Sequence, residues 1–162
     1  MSDSNREDPT RSLAVRLVTN PVTTWWIRNV AARLDPIVFK ATNGRFFTMG
    51  APSGGMVTIT MTGRHSGKPR SVHLACIPHE GHQLVVASAM GQQKHPAWRY
   101  NLEANPEVEL QLVGERYAAR AEVLSDAEKD AVWDKIRDVI PMIHVYEQRT
   151  DRNIRVFRLV RV

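Results

Sequence analysis

The sequence predicts an α+β protein in which antiparallel strands form a small barrel or a curled sheet with flanking helices. Three observations support this prediction. Segments that follow Val57 alternate apolar and polar residues with a period of two. A short helical pattern after Pro96 interrupts these strands, and a longer one that begins at Ser125 precedes the last strand. At 162 residues, the chain is long enough for one domain with a sizeable core.

The N-terminal part of the chain is predicted to be a polar tail followed by helix. Residues 1–11 are mixed in charge and predict a disordered tail. Residues 12–45 predict a helical segment, in which Asn20 and Pro21 are a good N-cap and first helical residue. Residues 46–162 then form the barrel domain.

One apolar stripe runs along this helical segment, with arginines beside it. Its members are Val22, Trp26, Val30 and Leu34, and Ile27 and Ala31 widen it. The stripe favours an amphipathic helix that packs on the core. The alternative is a basic segment across residues 12–34 that rests on a membrane surface or covers a lipophilic pocket.

Six strands are predicted from the alternation. They lie at residues 57–62, 71–76, 84–87, 108–112, 117–124 and 153–162. In the first of them Val57, Ile59 and Met61 alternate with threonines, as a half-buried strand requires. Turns are predicted at residues 78–81 and at Gly114-Glu115.

Two helices accompany the strands. The first has Pro96 at its first position and continues through residues 97–102, and Asn105-Pro106 ends it. The second opens with Ser125 and Glu128, which match the capping box. Its inner stripe is Trp133, Ile136 and Ile140, and Pro141 closes it.

The charge balance indicates an acidic partner. The net charge is +5 and the isoelectric point is near 9.8, which suits nucleic acid, an anionic membrane surface or a polyanionic small molecule. Arginines recur every third residue from 149 to 161, but only Phe157 is nearby as a stacking aromatic. We therefore interpret these arginines mostly as solvated charge, and we expect no nucleic-acid partner.

The single cysteine, Cys76, rules out an internal disulfide and fits a reducing compartment. It lies in an apolar strand pattern, which favours a buried and inert thiol. No secretory signal or membrane span is visible, so we expect a cytoplasmic protein, with contact to a membrane surface left open.

The sequence lacks the motifs of several common nucleotide-binding and catalytic sites. The chain has no Walker loop, no GxGxxG and no GxSxG nucleophile elbow. Ser66 has no histidine and carboxylate at a recognisable triad spacing. His79 and His82 flank a turn and do not have the helical spacing of a zinc protease, so no metal site is expected.

Two segments are suited to holding an anion. The loop Arg64-His65-Ser66-Gly67-Lys68-Pro69-Arg70 concentrates cations and flexible backbone between two strands. Lys94 lies just before the helix that begins near Pro96, where backbone N–H groups attract negative charge. The simpler interpretations are a solvated hairpin turn and an ordinary strand-to-helix connection with Trp98 in the core.

Together these segments resemble one family. The residues that carry the resemblance are 62–70, the Lys94-His95-Pro96-Ala97-Trp98 run, Asn101-Leu102, residues 105–108, Tyr146 and Thr150-Asp151-Arg152. In order and spacing they resemble the deazaflavin (coenzyme F420)-dependent nitroreductase and quinone reductase family of actinobacteria, from about residue 57 to residue 156.

The resemblance implies a split β-barrel, like that of FMN-binding proteins, with about six antiparallel strands and flanking helices. It implies coenzyme F420 as the hydride donor. It also implies cofactor contacts at Arg64, His65, Ser66, Arg70, Ser71, Val72, His73, Leu74, Ala75, Val86, Ala87, Ser88, Ala89, Ala97, Trp98, Arg99, Tyr100 and Asn101. The phosphodiester and poly-glutamate tail of the coenzyme are anionic, which suits the cations Arg64, Lys68 and Arg70.

The chain departs from its apparent relatives at several positions. Family members usually have lysine at the position of His65, and a common Lys-Gly pair is replaced by Ala89-Met90. The tyrosines that line the substrate side in these relatives are here Ile140 and Ile143, and only Tyr146 remains. These three residues are the predicted substrate pocket, with Tyr146 as the candidate proton donor or substrate orienter.

The resulting prediction is an F420-dependent oxidoreductase that transfers a hydride to a small lipophilic acceptor such as a quinone, an enone or a nitro compound. One alternative is a binding protein that holds a lipid or fatty acid without turnover. Another is a split barrel that binds FMN or haem.

Overall fold

The computed structural model of the chain describes residues 20–26, 30, 34, 37–38, 41 and 54–162. The predicted tail at residues 1–11 and the predicted boundary at residues 45–46 lie outside these residues. Helix α1 (Pro21–Trp26) begins where the sequence predicts. Its cap is formed, because the Val22 N–H donates a 2.9 Å hydrogen bond to Asn20 Oδ1.

The remaining helices and strands follow in this order: β1 (Met56–Thr62), β2 (Pro69–Ala75), β3 (Ile77–His79), β4 (His82–Val86), a 3-10 turn (Ala89–Gly91), α2 (Ala97–Ala104), β5 (Glu107–Leu112), β6 (Glu115–Val123), α3 (Asp126–Val139), α4 (Ile143–Gln148) and β7 (Val156–Arg161). The predicted α+β class is confirmed. Within the described residues, no helix is both long enough and apolar enough to cross a bilayer.

The seven strands form one sheet in the order β2-β1-β5-β6-β7-β4-β3. All of its strand pairs are antiparallel. The two edge strands, β2 and β3, are consecutive in the chain and only Cys76 separates them. The sheet must therefore curl until its edges meet, which makes a barrel with its seam at Cys76. At this seam the Cys76 N–H donates to the Gly55 carbonyl at 3.1 Å.

Side chains alternate between the two faces of the curled sheet, and each face contributes to a separate hydrophobic core. Inside the barrel the first core contains residues from most strands, together with Leu102 of α2. On the outer face, α3 and α4 cover a second core that contains Leu84, Ile136 and Tyr146. Successive residues of β4 therefore point to opposite cores, as the period of two requires.

Two predictions about the sheet were wrong in detail. The segment predicted as a turn from Pro78 begins with the short strand β3, and the turn itself is at Glu80-Gly81. A proline is tolerated there because β3 is an edge strand that pairs only with β4. Likewise, Glu115 belongs to β6, and the preceding turn is at Val113-Gly114.

Cys76 is fully buried, as the sequence predicts. Burial raises the pKa of its thiol to about 11, which keeps the thiol protonated and unreactive near neutral pH.

The apolar stripe near the N-terminus was expected to pack on the core, and two of its members do not. Val22 and Leu34 are 75% and 50% exposed, so these two side chains do not pack on the core.

The N-terminus of α3 forms the predicted capping box. Ser125 Oγ accepts from the Glu128 N–H, while the Glu128 carboxylate accepts from the Ser125 N–H. We expect Ser125→Ala to lower the free energy of unfolding by about 1 kcal/mol, because the substitution leaves N–H groups of the first turn without their acceptor. Urea denaturation measures this loss. Ser125→Thr keeps the acceptor and is the control, and an equal loss in both variants would contradict the assignment.

Candidate functional site

The basic loop between β1 and β2 is a closed hairpin. The Gly63 N–H donates to the Lys68 carbonyl at 2.9 Å, and the Gly67 N–H donates to the Gly63 carbonyl at 2.8 Å. Gly67 has a φ of 63°, which favours glycine at the tip of the turn. All side chains from residue 64 to residue 70 are exposed. The hairpin interpretation is therefore correct for the backbone, and the cations of the loop are accessible to solvent.

Helix α2 fixes one side of this loop. Asn101 Oδ1 accepts a 3.1 Å hydrogen bond from the Arg64 N–H. The Arg64 guanidinium lies over the Tyr100 ring, 4.7 Å from its centroid. The Asn105 side chain donates to the Thr62 carbonyl at 3.3 Å, which ties the end of α2 to the end of β1. The basic loop is thus held against α2 by side chains that sequence spacing brings to one helix face.

A cavity of about 420 Å³ lies between the basic loop, β2 and the start of α2. Its lining residues are Met61, Gly63, Arg64, His65, Ser66, Arg70, Ser71, Val72, Ala97, Trp98 and Asn101. Nine of them were predicted as cofactor contacts, from segments far apart in the sequence. Trp98 also packs on the barrel core, with its ring 5.7 Å from that of Phe157. The interpretation of Trp98 as a core residue is therefore confirmed, and its place in the cavity lining leaves the predicted cofactor contact open.

The donor set of this cavity fits a deazaflavin coenzyme. Arg64 and Arg70 enter no ion pair within the part of the chain that the structure describes. They are therefore available to an external anion. Trp98 and Val72 provide an apolar wall beside them for a planar ring. A ligand that is anionic at one end and aromatic at the other matches this arrangement.

The other predicted cofactor residues do not line this cavity. They are the loop-tip residues Gly67 and Lys68, the β2 residues His73, Leu74 and Ala75, the residues Val86, Ala87, Ser88 and Ala89 at the end of β4, the exposed Lys94, and Arg99 and Tyr100 of α2. Val86 and Ala87 are buried, whereas Ser88 and Ala89 are half-buried.

The loop after β4 is held by an arginine whose contacts the sequence did not reveal. The Arg152 guanidinium donates to the carbonyls of Ala87, Ser88 and Gln92, at 2.9 Å for Ala87 and 2.8 Å for Gln92. The prediction that the arginines from residue 149 to 161 are mostly solvated charge is therefore wrong for Arg152. It is also wrong for Arg158, which pairs with a carboxylate of β6 and one of α3.

Tyr146 lies beside this loop, next to Gly91, and none of the three predicted substrate residues lines the cavity beside the basic loop. Ile140 follows α3 and is half-buried, while Ile143 and Tyr146 of α4 belong to the second core. Ile143 is fully buried and Tyr146 is 7% exposed. Burial raises the pKa of the Tyr146 phenol, so the phenol stays protonated at neutral pH. The sequence did not reveal α4, because the segment after Pro141 is too short for a helical period.

A second cavity, of about 450 Å³, lies between α3 and the segment that leads to β7. Its cations already have partners in the protein: Arg137 binds Glu147, Lys129 contacts Asp126 and Asn153, and Arg152 donates to carbonyls of the loop after β4. The first cavity is therefore the better candidate for an anionic cofactor. Among the described residues, no group of histidine, cysteine and carboxylate side chains could hold a metal ion.

His95 lies 3.1 Å from the Arg152 guanidinium and packs edge-on against Tyr100 of α2, and we expect its titration to make stability dependent on pH. Burial lowers the pKa of His95, and the nearby Arg99 and Arg152 lower it further. The neutral ring is thus favoured in the folded state. Its stabilisation is complete above the unfolded pKa of 6.5 and is lost as the pH falls through the folded pKa.

We therefore expect the free energy of unfolding to fall between about pH 7.5 and about pH 5.5, and to fall less in His95→Asn, whose side chain cannot be protonated. Urea denaturation at both pH values measures this difference. Carboxylates contribute equally to both proteins, so an identical pH dependence would show that His95 does not carry the effect.

The chain is similar to known proteins in sequence. The profile of a family described as F420H(2)-dependent quinone reductase matches residues 26–160. An F420H(2)-dependent quinone reductase of Mycobacterium tuberculosis is 29% identical over 148 residues, which are 86% of this chain and 98% of that protein.

Two solved structures are also similar. One is described as an F420-H2 dependent reductase and has 33% identity and a TM-score of 0.60, covering 69% of this chain and 99% of that chain. The other is described as a domain-swapped dimer and has 31% identity and a TM-score of 0.62, covering 84% of this chain and 98% of that chain.

Proposed function

The chain belongs to the F420H(2)-dependent quinone reductase family, and from that premise we propose that coenzyme F420 binds in the cavity between the basic loop, β2 and α2. The predicted family, split β-barrel fold, reductase class and cofactor are confirmed by the relatives. The observation that supports this location is the convergence of nine predicted contacts on one cavity.

Different residues of the cavity bind different parts of the coenzyme. Arg64 and Arg70 hold the acidic tail through charge-assisted hydrogen bonds, with Lys68 adding positive charge at the loop tip. Trp98 contacts the ring and keeps water from one side of it. When bound, the reduced deazaflavin supplies a hydride to the acceptor. The protein's own part is to orient the ring and exclude water.

The acceptor is a small lipophilic molecule, and a quinone is the first candidate because of the relatives' names. We assign Ile140, Ile143 and Tyr146 to the substrate side, and all three lie in or against the second core. Isoleucines at these positions favour an apolar acceptor over one that needs several hydrogen bonds. The protonated phenol of Tyr146 is suited to donating a hydrogen bond or a proton to the reduced acceptor.

Anaerobic mixing of the protein with reduced coenzyme F420 and a panel of quinones, enones and nitro compounds tests this function. We expect coenzyme oxidation above the protein-free rate, fastest with a quinone. We expect Tyr146→Phe to lower kcat by ten-fold or more while the affinity for the coenzyme is kept. Oxidation at the protein-free rate with every acceptor would overturn the proposed reaction.

The N-terminal segment contacts an anionic membrane surface, where lipophilic acceptors concentrate. Val22 and Ile37 are 75% and 66% exposed, and the chain carries a net charge of +5. We expect co-sedimentation with vesicles that contain phosphatidylglycerol, and weaker co-sedimentation of Val22→Ser/Ile37→Ser. Equal recovery of both proteins in the supernatant with and without vesicles would exclude this contact.

A further inference from the structure

The loop between β4 and α2 has an unusual backbone. Ala89, Met90 and Gly91 have φ angles of 46°, 55° and 76°, so three consecutive residues are left-handed and two of them carry side chains. Such a conformation persists only where surrounding contacts impose it. The resemblance implies that the residues just before this loop and at its start contact the cofactor, so the contacts that impose its shape bear on cofactor binding.

Arg152 supplies the most extensive of these contacts. Its guanidinium donates to three carbonyls of the loop and lies 3.1 Å from His95 Nδ1. Within the described residues it forms no ion pair, so its charge is balanced by carbonyl dipoles of this one loop. Thr150 adds to the arrangement, because its buried hydroxyl donates to the Gln93 side chain and accepts from the Arg152 N–H.

These contacts determine where the opposite edge of the loop points. None of the peptide bonds is cis, and in a trans peptide the carbonyl and the following N–H point in opposite directions. The Ala87 and Ser88 carbonyls point to Arg152. The N–H groups of Ser88 and Ala89 therefore point away from Arg152, side by side on the other edge of the loop.

We infer that Arg152 is a positioning residue for the deazaflavin ring, and that it acts by turning the Ser88 and Ala89 N–H groups toward carbonyl oxygens of that ring. This inference rests on the proposed function. It assigns two separate tasks to the arginines of the chain: Arg64 and Arg70 bind the acidic tail, whereas Arg152 orients the backbone that receives the ring.

The test compares two ligands. One is coenzyme F420, and the other is the same deazaflavin ring system without the phosphodiester and glutamates. We expect Arg152→Lys to weaken both ligands by the same factor, ten-fold or more, because a lysine ammonium cannot bind three carbonyls at once. The net charge is unchanged, so the salt dependence of coenzyme binding should also be unchanged. Arg158→Lys is the matched control, since that arginine pairs with carboxylates away from the loop.

Hydrogen exchange of the Gly91 and Gln92 amides, which donate to the Ser88 and Ala89 carbonyls within the loop, provides a readout that needs no ligand. We expect faster exchange at these amides in Arg152→Lys and in the milder variant Thr150→Val, with the exchange of β1 unchanged. Unchanged ring affinity in a folded Arg152→Lys protein would overturn the inference, as would a loss confined to the full coenzyme. Failure of the wild-type protein to bind either ligand would instead overturn the proposed function.

Discussion

Replacing Arg64 or Arg70 by alanine is expected to weaken the binding of coenzyme F420 by about 1.5–3 kcal/mol each, which is roughly ten- to hundred-fold in affinity. Both side chains line the cavity, are exposed and form no ion pair in the described part of the chain. In the proposed complex the coenzyme tail is their main electrostatic partner, so each alanine variant loses a charge-assisted hydrogen bond. Fluorescence titration at low ionic strength measures the loss.

A matched control separates this contact from the general effect of charge. Arg120→Ala removes the same charge from an exposed strand position, where the arginine pairs with Glu107. We expect it to change the affinity for the coenzyme by less than about three-fold, because Arg120 does not line the cavity and its charge is already paired with Glu107. Equal effects in all three variants would mean that only net charge matters. Unchanged affinity in both loop variants would mean that the tail binds elsewhere.

Replacing Gly91 by alanine is expected to lower the free energy of unfolding by about 2–5 kcal/mol. Gly91 is buried and has a φ of 76°. An added Cβ would lie 2.8 Å from Arg149 Cβ and 2.9 Å from the Tyr146 carbonyl oxygen. The backbone of α4 would have to move away from the loop after β4, and Tyr146 would move with it. Urea denaturation measures the loss of stability.

Gly114→Ala is the control for this prediction. Gly114 has a φ of 73°, so its backbone is as unfavourable for alanine, but an added Cβ would meet nothing within 4 Å. We expect a loss of only about 1–2 kcal/mol there, from backbone strain alone. The difference between the two losses in the free energy of unfolding is the cost of the steric contact with α4. If both variants lose the same stability, the close approach of the loop to α4 does not exist in solution.

Local signals in the sequence were sufficient for most of the fold. The alternation from Val57 predicts β1, and the pair Ser125 and Glu128 predicts the start of α3, because both signals involve neighbouring residues. The cation-rich residues 64–70 predict the hairpin for the same reason. The cavity could also be predicted in part, since the residues of the basic loop and of α2 carry the family resemblance.

The role of Arg152 could not be predicted in this way. Its partners are carbonyl oxygens about 60 residues earlier in the chain, and any residue type provides a carbonyl. The period of three among the C-terminal arginines indicated solvated charge, although neighbouring arginines have different partners in the fold. Strand β3 was missed because Pro78 indicates a turn, and its place at the edge of the sheet is a property of the whole topology.

The affinity of the wild-type protein for coenzyme F420 and for the tail-less deazaflavin, titrated at low and at high ionic strength, tests the central claim most directly. If the basic loop holds the tail, the complete coenzyme binds at least ten-fold tighter at low salt, and high salt reduces this advantage. The affinity for the tail-less ring should hardly depend on salt. Equal affinity for the two ligands at low salt would contradict the account.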